Sequence, residues 1–487
     1  MTSINKDVIV IGSGMGGLSA ACILSSKGYK VSVLEANLLP GGCTSTYYRK
    51  GYMFEAGATT LVGLDVGMPL HYVLQKCKIE LNASRLMKPM QITLKNGTVV
   101  TRYENLKEWI AEAERIFGKK NQKEFWGQCF QISEFVWKSS LNQLHFPPAT
   151  FNDLLQTAKN VSIKQFQFLP FSFISVYDFL KKFDLHNNEL FVEFINEQLL
   201  ITAQNNAEEV NMLFGATALC YTNFGNYYMP GGMIEMVKPM IKFIESKGGE
   251  FINRTKVEHI EKRGEKYFLT TNKENYECEY LISNITVNNL LEIWKDKSVH
   301  NKFYSKIFSS EKLVSAFQVG IAFKKSKNFD CIHHQIHLRK PLSQIQSKSI
   351  FISLNMPDDT SRCPADCMVA SVSTHVMNPE KNTIVNKTEI ENEIINALIE
   401  NNFFSKDDVL YYHSATPETW QRWTFRKWGF VGGYPQYMKV KPWQMLEHRL
   451  DNYKAYIVGD SVYPGQGIPG VTLSGIIAAN KLMGDWR

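Results

Sequence analysis

Val8-Ile-Val-Ile-Gly12-Ser-Gly-Met-Gly-Gly17 is the stretch on which the reading of this chain turns. Val8–Ile11 is a short, unbroken apolar run rich in β-branched residues, the mark of a strand covered on both faces. The glycines follow at once, and Leu18–Ser26 then offers the small and apolar residues of a helix packed tightly on a sheet. Gly28 ends that helix, and Tyr29–Leu34 reads as a second strand that closes on Glu35. Each part has a physical task. Gly12 permits the tight turn out of the strand, Gly14 lets backbone approach a pyrophosphate, and Gly17 lets the helix sit close to the sheet. With Ser13, Met15 and Gly16 they form a helix N-terminus whose unpaired N–H groups and positive dipole end suit phosphates. Glu35, about 20 residues beyond the glycines and followed by Ala36, stands where the hydroxyls of an adenosine ribose are recognised. The predicted fold class is therefore α/β, with a dinucleotide-binding domain at the N-terminus.

That signature alone serves FAD and NAD equally. The residues that follow separate them. Pro40-Gly-Gly-Cys-Thr44 comes just after the ribose-binding acid, and Tyr52-Met-Phe-Glu-Ala-Gly-Ala-Thr59 comes soon afterwards. Gly41 and Gly42, with Cys43 and Thr44, would let backbone run beside the pyrophosphate and the ribityl chain of a flavin. Gly57 and Ala58, followed by Thr59, would allow close approach to the isoalloxazine. FAD is the expected cofactor.

In the order Gly12–Gly17, Glu35, Gly41–Gly42 and Phe54–Thr59, the chain resembles the flavin amine oxidase superfamily and, within it, the phytoene desaturase and carotenoid isomerase branch. Most members carry Asp where Glu55 stands, a conservative departure. The resemblance implies a Rossmann-type, glutathione-reductase-like FAD-binding domain interleaved with an α+β substrate domain. It would assign residues 1–75, 225–300 and 445–487 to the FAD-binding part, and 76–224 and 301–444 to a substrate part with an apolar tunnel. Met229-Pro-Gly-Gly-Met233 leads into a helical segment ending near Gly249, and Phe251–Glu258 and Tyr267–Thr271 read as strands. Val257 falls where members hold the adenine through backbone contacts, and Asn284 falls at the strand-end turn beside the flavin. Ala455–Val458 is a further buried strand closed by Gly459-Asp460, with Asp460 expected at the ribityl hydroxyls or a phosphate-associated water. The Gly467-Ile-Pro-Gly-Val471 turn, with Ile468, Pro469 and Gly470, precedes a small-residue helix over Thr472–Ala479. It would present its N–H groups and that helix's N-terminus to the flavin N1–O2 edge. Asn205–Thr222, Thr416–Trp420 and Gly429–Pro435 also resemble this branch, and Gly57–Asp65 resembles bacterial carotenoid 3′,4′-desaturases in particular.

Composition bounds the rest. The chain has 487 residues, 44% apolar and 21% charged, which fits a folded protein of two joined domains. Aromatic residues reach 12%, including 30 Phe, which suits a large core or an apolar cavity alike. The formal charge of +7 is spread along the chain without an aromatic-interleaved basic repeat, which argues against a nucleic-acid partner. The 9 cysteines are scattered and odd in number, as expected in a reducing, cytoplasmic setting. Cys363 and Cys367 form a single close pair with no second, so they read as a loop. Alternation would place Cys331, His333 and His337 on one strand face, with His334 opposite, but neighbouring strand positions rarely complete a zinc site, so no metal is expected. No signal peptide and no apolar run of about 18 residues is present, so no transmembrane helix is expected. The aromatic stretch Phe166–Leu180 reads as a membrane dip, a substrate entrance or a buried connector.

The resemblance implies hydrogen removal from a long apolar polyene, with the flavin carrying the chemistry and the protein supplying orientation and dryness. Such a reaction needs an apolar tunnel, which the aromatic middle, Phe125–Phe224, could form; a buried core would look the same. No Ser/His/Asp, Cys/His or paired-carboxylate constellation stands out, and His413 and Arg422 read as supporting or surface residues of a family-like segment. A cis–trans isomerase or a saturase using reduced FAD stays open within the fold, and so does a flavin-free prenyl-binding protein of the GDP-dissociation-inhibitor type. An apolar polyene implies peripheral contact with a membrane.

Overall fold

The structure, a computed structural model, describes residues 3–161 and 163–485. In chain order the strands of the two large sheets are β1 (Ile4–Ile11), β2 (Val31–Leu34), β3 (Met90–Thr93), β4 (Val99–Arg102), β5 (Glu250–Ile252), β6 (Val257–Arg263) and β7 (Lys266–Thr271). They continue with β8 (Asn275–Ser283), β9 (Val314–Lys324), β10 (His333–His337), β11 (Ser349–Leu354), β12 (Cys367–Met377), β13 (Val409–Ala415) and β14 (Ala455–Ile457). The helices used below are α1 (Met15–Ser26), α2 (Leu106–Phe117), α3 (Gln122–Ser140), α4 (Phe151–Lys159) and α5 (Glu189–Ala203). After them come α6 (Met212–Leu219), α7 (Ile234–Ser246), α8 (Pro417–Thr424) and α9 (Ile468–Asp485).

The first sheet runs β5–β2–β1–β8–β7–β6, with β14 beside β8. The pairs β5–β2, β2–β1, β1–β8 and β8–β14 are parallel. Register aligns their ends: Ile11 lies opposite both Leu34 and Ser283, and Ser283 lies opposite Ile457. Four carboxyl ends therefore finish along one edge, the place where open α/β sheets bind ligands. Alternation explains the unbroken apolar run of β1. Val8 and Val10 face α1, α7 and α9, packing with Leu18, Met236 and Ile476. Ile9 and Ile11 face the other way, with Leu34, Leu281 and Ile457.

The second sheet runs β13–β9–β12–β11–β10–β3–β4 and is antiparallel except where β10 meets β3. Its buried face packs on Ile390, Ile394 and Leu398.

Several boundaries differ from the sequence reading. Helix α1 starts at Met15, ahead of Leu18, and β2 starts at Val31, after Tyr29. Phe251–Glu258 is two strands, because Arg254 takes a left-handed φ of 51° while Arg254 N–H and Thr255 N–H donate to the carbonyls of Asn37 and Glu35. Helix α9 begins at Ile468, so of the expected Gly467–Val471 turn only Gly467 lies ahead of the helix, with φ 85°. Pro469 is tolerated there because first-turn N–H groups have no intrahelical acceptor. Within Phe125–Phe224, helices α3, α5 and α6 join α2 in a packed aromatic core. Trp109 and Trp126 meet edge-to-face at 4.9 Å, and Phe125 meets Trp126 at 5.1 Å. These rings bury against one another, so this part of the middle contributes to a packed core.

Candidate functional site

One or two residues past each aligned strand end stands a residue singled out by the sequence. Gly12 follows Ile11, Glu35 follows Leu34, Asn284 follows Ser283, and Gly459 comes two residues after Ile457. The chain thus brings both of its ends to one edge of one sheet.

At the first turn, Gly12 N–H donates to the Leu34 carbonyl at 2.8 Å and Asn284 N–H to the Ile11 carbonyl at 2.8 Å. A Cβ on Gly17 would stand 2.4 Å from the Gly12 carbonyl oxygen, so only glycine lets α1 begin this close to the strand. A Cβ on Gly14 or Gly16 would meet the Asn284 side-chain amide at 2.7 or 2.9 Å. Gly16 also lies against Gly459, and Gly475 of α9 against the Gly16 carbonyl, which locks the two halves of the edge together.

Glu35 is buried and accepts three hydrogen bonds. Its Oε2 accepts from Ser13 N–H at 2.8 Å and from the Ser13 hydroxyl at 2.5 Å, and its Oε1 accepts from Asn37 N–H at 2.8 Å. Ser13 Oγ also accepts from Gly41 N–H at 3.1 Å, and Gly41 bridges to Gly14, so the glycine pair lies beside the first turn. Val257 opens β6 in the same apolar cluster as Ile9, Ile11 and Leu34, next to the Glu35 end of the sheet.

From Gly42 the chain turns through a short 3-10 helix, in which the Thr44 hydroxyl donates to the Gly41 carbonyl at 2.7 Å. The carbonyl of Cys43 then accepts from Ala58 N–H at 2.8 Å, and a Cβ on Gly57 would lie 3.0 Å from the same oxygen. Segments 41–44 and 57–59 are therefore adjacent. Trp420 of α8 closes over Gly57, its ring 3.5 Å from where that Cβ would be. Between them Thr46–Arg49 and Tyr52–Glu55 pair as a hairpin, anchored by Glu55, which accepts from Thr46 Oγ1 at 2.9 Å and Met233 N–H at 3.2 Å and pairs with Arg362 at 3.0 Å. Burial pushes the Glu55 carboxyl up, against the pull of Arg362.

At the other end, Asp460 pairs with Arg426 Nη2 at 2.8 Å. Burial pushes the Cys43 thiol up, opposed by the nearby Arg426 cation and aided by Asp460, so these three groups share one pocket of charge. Gly432 packs against Gln204 and Gln466 side chains, and Gly433 against the Asp460 backbone. Among the described residues, Arg426 Nη1, Trp420 Nε1, Gln466 Nε2, Gln204 Oε1 and Ser45 Oγ are buried without a hydrogen-bond partner. Three of these only donate and the Ser45 hydroxyl can donate as well, which suits an acceptor-rich group such as a ribityl diphosphate. Ile468, Pro469, Gly470 and Val471 form the first turn of α9, and Pro469 touches the position of Gly63 just beyond Thr59.

Sequence reasoning gave no role to Arg426, Gln204 or Gln466, and named Trp420 only as the end of a family-like segment. They come from separate stretches of the chain, and only the fold carries them to the edge. Of the two side residues it weighed, His413 bonds the Tyr47 hydroxyl at 2.8 Å and packs on Phe54, with burial holding it at about 4, while Arg422 is exposed. Cys331 precedes β10, and its carbonyl contacts His334. Among the described residues, no group of three or more His, Cys, Asp or Glu is placed to hold a metal, and no helix is long and apolar enough to cross a membrane.

Comparison with known proteins agrees with this geometry. Prolycopene isomerase 2, chloroplastic, of an Oncidium hybrid cultivar is 26% identical over 499 residues, covering 98% of this chain and 84% of that protein. The 1-hydroxycarotenoid 3,4-desaturase of a Flavobacterium species is 24% identical over 503 residues, covering 98% and 99%. These identities do not set the chain nearer to bacterial desaturases than to isomerases. A crystal structure of an oxidoreductase from Methanosarcina mazei shares the fold, with TM-score 0.64 at 16% identity, covering 98% of this chain and 100% of that one. The flavin-free prenyl-binding alternative finds no support among these proteins. The profile of the flavin containing amine oxidoreductases matches residues 15–483, and the chain belongs to that family.

Proposed function

We propose that this flavin-dependent oxidoreductase binds FAD along the aligned strand ends and uses it to desaturate a long, apolar, carotenoid-like polyene. The observation that carries the reading is the convergence of segments 12–17, 41–44, 57–59 and 459–471 around unpartnered buried donors, in a chain whose full-length relatives are named as carotenoid enzymes. In this reading Glu35, backed by Ser13 and Asn37, holds the adenosine ribose, and Val257 flanks the adenine. Gly12–Gly17 and Gly41–Thr44 receive the pyrophosphate, while Asn284, Gly459, Asp460 and Arg426 hold the ribityl region. Gly57–Thr59 and the N-terminus of α9 border the ring system. Residues 1–75, 225–300 and 445–487 make the FAD-binding part (residues 1, 2, 486 and 487 lie outside the described ones), and 76–224 and 301–444 the substrate part. Bound FAD would supply the two-electron acceptor. The chain's own residues orient the polyene, exclude water and set the electrostatics of the site.

Cis–trans isomerisation is the second reading, favoured by the match to a prolycopene isomerase over 98% of the chain. Anaerobic mixing of the yellow protein with a carotenoid in vesicles separates the two. Bleaching of the flavin with a product absorbing at longer wavelength supports desaturation, and an isomerised product without net flavin change supports isomerisation. A polar amine as sole reductant refutes both.

We further propose that the protein works at a membrane surface in a reducing, cytoplasmic-type compartment. Phe151, Phe166 and Phe173 are 81%, 60% and 54% exposed, and Phe173 meets Trp443 at 5.6 Å beneath the Lys441 ammonium. Exposed rings beside a cation suit an interfacial face over anionic lipid. Flotation with anionic vesicles should carry the protein, and Phe151→Ser with Phe166→Ser should leave most of it behind. Equal flotation of both would place the contact elsewhere.

A further inference from the structure

Thr59 sits at the end of a directional hydrogen-bond chain that the site residues above do not explain. Ser353 Oγ–H donates to Thr59 Oγ1 at 2.7 Å. His333 Nδ1 lies 2.8 Å from the same Ser353 oxygen, and His333 Nε2 lies 3.0 Å from Thr60 Oγ1. Ser353 has one hydroxyl hydrogen, and it is committed to Thr59. Nδ1 must therefore carry the imidazole proton and donate to Ser353, which leaves Nε2 to accept from Thr60. The order is Thr60 O–H to His333, His333 N–H to Ser353, Ser353 O–H to Thr59.

The chain is rigidly set. His333 and Ser353 are directly opposite in the β10–β11 register, buried at 1% and 6% exposure, and Phe351 stacks on the imidazole at 6.0 Å. Burial also depresses the His333 pKa to about 3, so the ring stays neutral with one proton. A sheet of the substrate part thus reaches across to grip a loop of the cofactor edge. The hydroxyl of Thr59, already an acceptor, retains its own hydrogen, and the neighbouring Ala58 is fastened to the Cys43 carbonyl.

We propose that Thr59 donates a hydrogen bond to a carbonyl or ring nitrogen at the polar edge of the flavin, and that Ser353 and His333 are positioning residues that fix its direction. This rests on the reading that segment 57–59 borders the ring system. Reduction adds electron density to that edge, and a donor held in place beforehand stabilises it without reorganisation.

The test is the reduction potential and visible spectrum of the FAD-loaded full chain, measured against reference dyes. Loss of one neutral hydrogen bond is worth up to about tenfold in the reduction equilibrium, or about 30 mV for a two-electron couple. Thr59→Val should make the potential more negative by up to that amount and shift the flavin band. Ser353→Ala, which keeps Thr59 but releases it, should move the potential in the same direction by less, and Thr59→Ser should restore the starting value. Should Thr59→Val fail to fold, Ser353→Ala against Thr59→Ser decides alone. Unchanged potential and spectrum in the FAD-loaded variants would overturn the proposal. Wild-type protein without FAD would instead overturn the site reading beneath it, and the two failures are told apart by colour before any variant is made.

Discussion

Glu35 has a structural task in the protein and, under the proposed function, a binding task as well. Its two oxygens already accept three hydrogen bonds, two on Oε2 from Ser13 N–H and Ser13 Oγ–H and one on Oε1 from Asn37 N–H, which leaves Oε1 a lone pair for a further donor. A ribose hydroxyl would meet an acceptor whose direction is fixed. Charge-assisted bonds of this kind contribute about 1.5–3 kcal/mol. Glu35→Ala should therefore weaken FAD binding roughly tenfold to a hundredfold in titrations of the apoprotein, while Glu35→Asp should lose less; equal affinity in all three would remove Glu35 from the site. Glu35 was legible in the sequence because a strand, a glycine turn, a helix and a second strand lead up to it in fixed order. Arg426 was not, since its partner Asp460 lies in another segment and no local pattern predicts the pair. His333 was weighed in the sequence only as a metal ligand, and set aside. Spacing grouped it with Cys331 and His337 as possible ligands, whereas its contacts are hydroxyls of Thr60 and Ser353 from elsewhere in the chain.

Among the elements, β1 and α1 were readable because an unbroken apolar run, glycine placement and burial on all sides agree. The start of α9 was misread because Gly470 and Pro469 look like turn residues, although a first helical turn accepts proline. Least legible was the anchoring of α4. Its Asp153, buried at 0% exposure, takes Arg449 Nη1 at 2.6 Å and Nη2 at 3.2 Å, and Lys481 of α9 lies 3.8 Å away. Arg449 in turn binds Asp485 at 2.7 and 2.8 Å. Burial works against the Asp153 carboxylate, but Arg449 and Lys481 outweigh it and hold it well below the usual carboxylate range. This network ties the helix bearing the exposed Phe151 to the C-terminal helix that packs on the first sheet. Removing one partner of a buried pair costs about 3–5 kcal/mol. Asp153→Asn should lower the unfolding free energy by about that amount in denaturant titrations, and a change below about 1 kcal/mol would mean that the network holds little.

At the scale of the whole molecule, buried histidines set the response to acid. Burial lowers His334, His337 and His413 to about 4 and His333 to about 3 from the ordinary 6.5, and burial with Lys481 nearby holds His448 well below it. The unfolded chain takes up these protons near pH 6.5, whereas the folded chain resists them until about 4. Stability contributed by the neutral rings is complete above about 6.5 and is lost as pH falls toward the folded values. The thermal midpoint should decline between pH 6.5 and 4, ahead of most carboxylates, and a flat midpoint across that window would contradict the burial of these rings. Two sheets, one carrying aligned strand ends and the other gripping Thr59 through Ser353, put residues from both ends of the chain at one site. The most direct test of that account is the flavin released by heating the purified full chain. It predicts about one FAD per chain in the wild type and a large loss in Gly17→Val, whose side chain would strike the Gly12 carbonyl; a colourless wild type, or a different nucleotide in place of FAD, would contradict it.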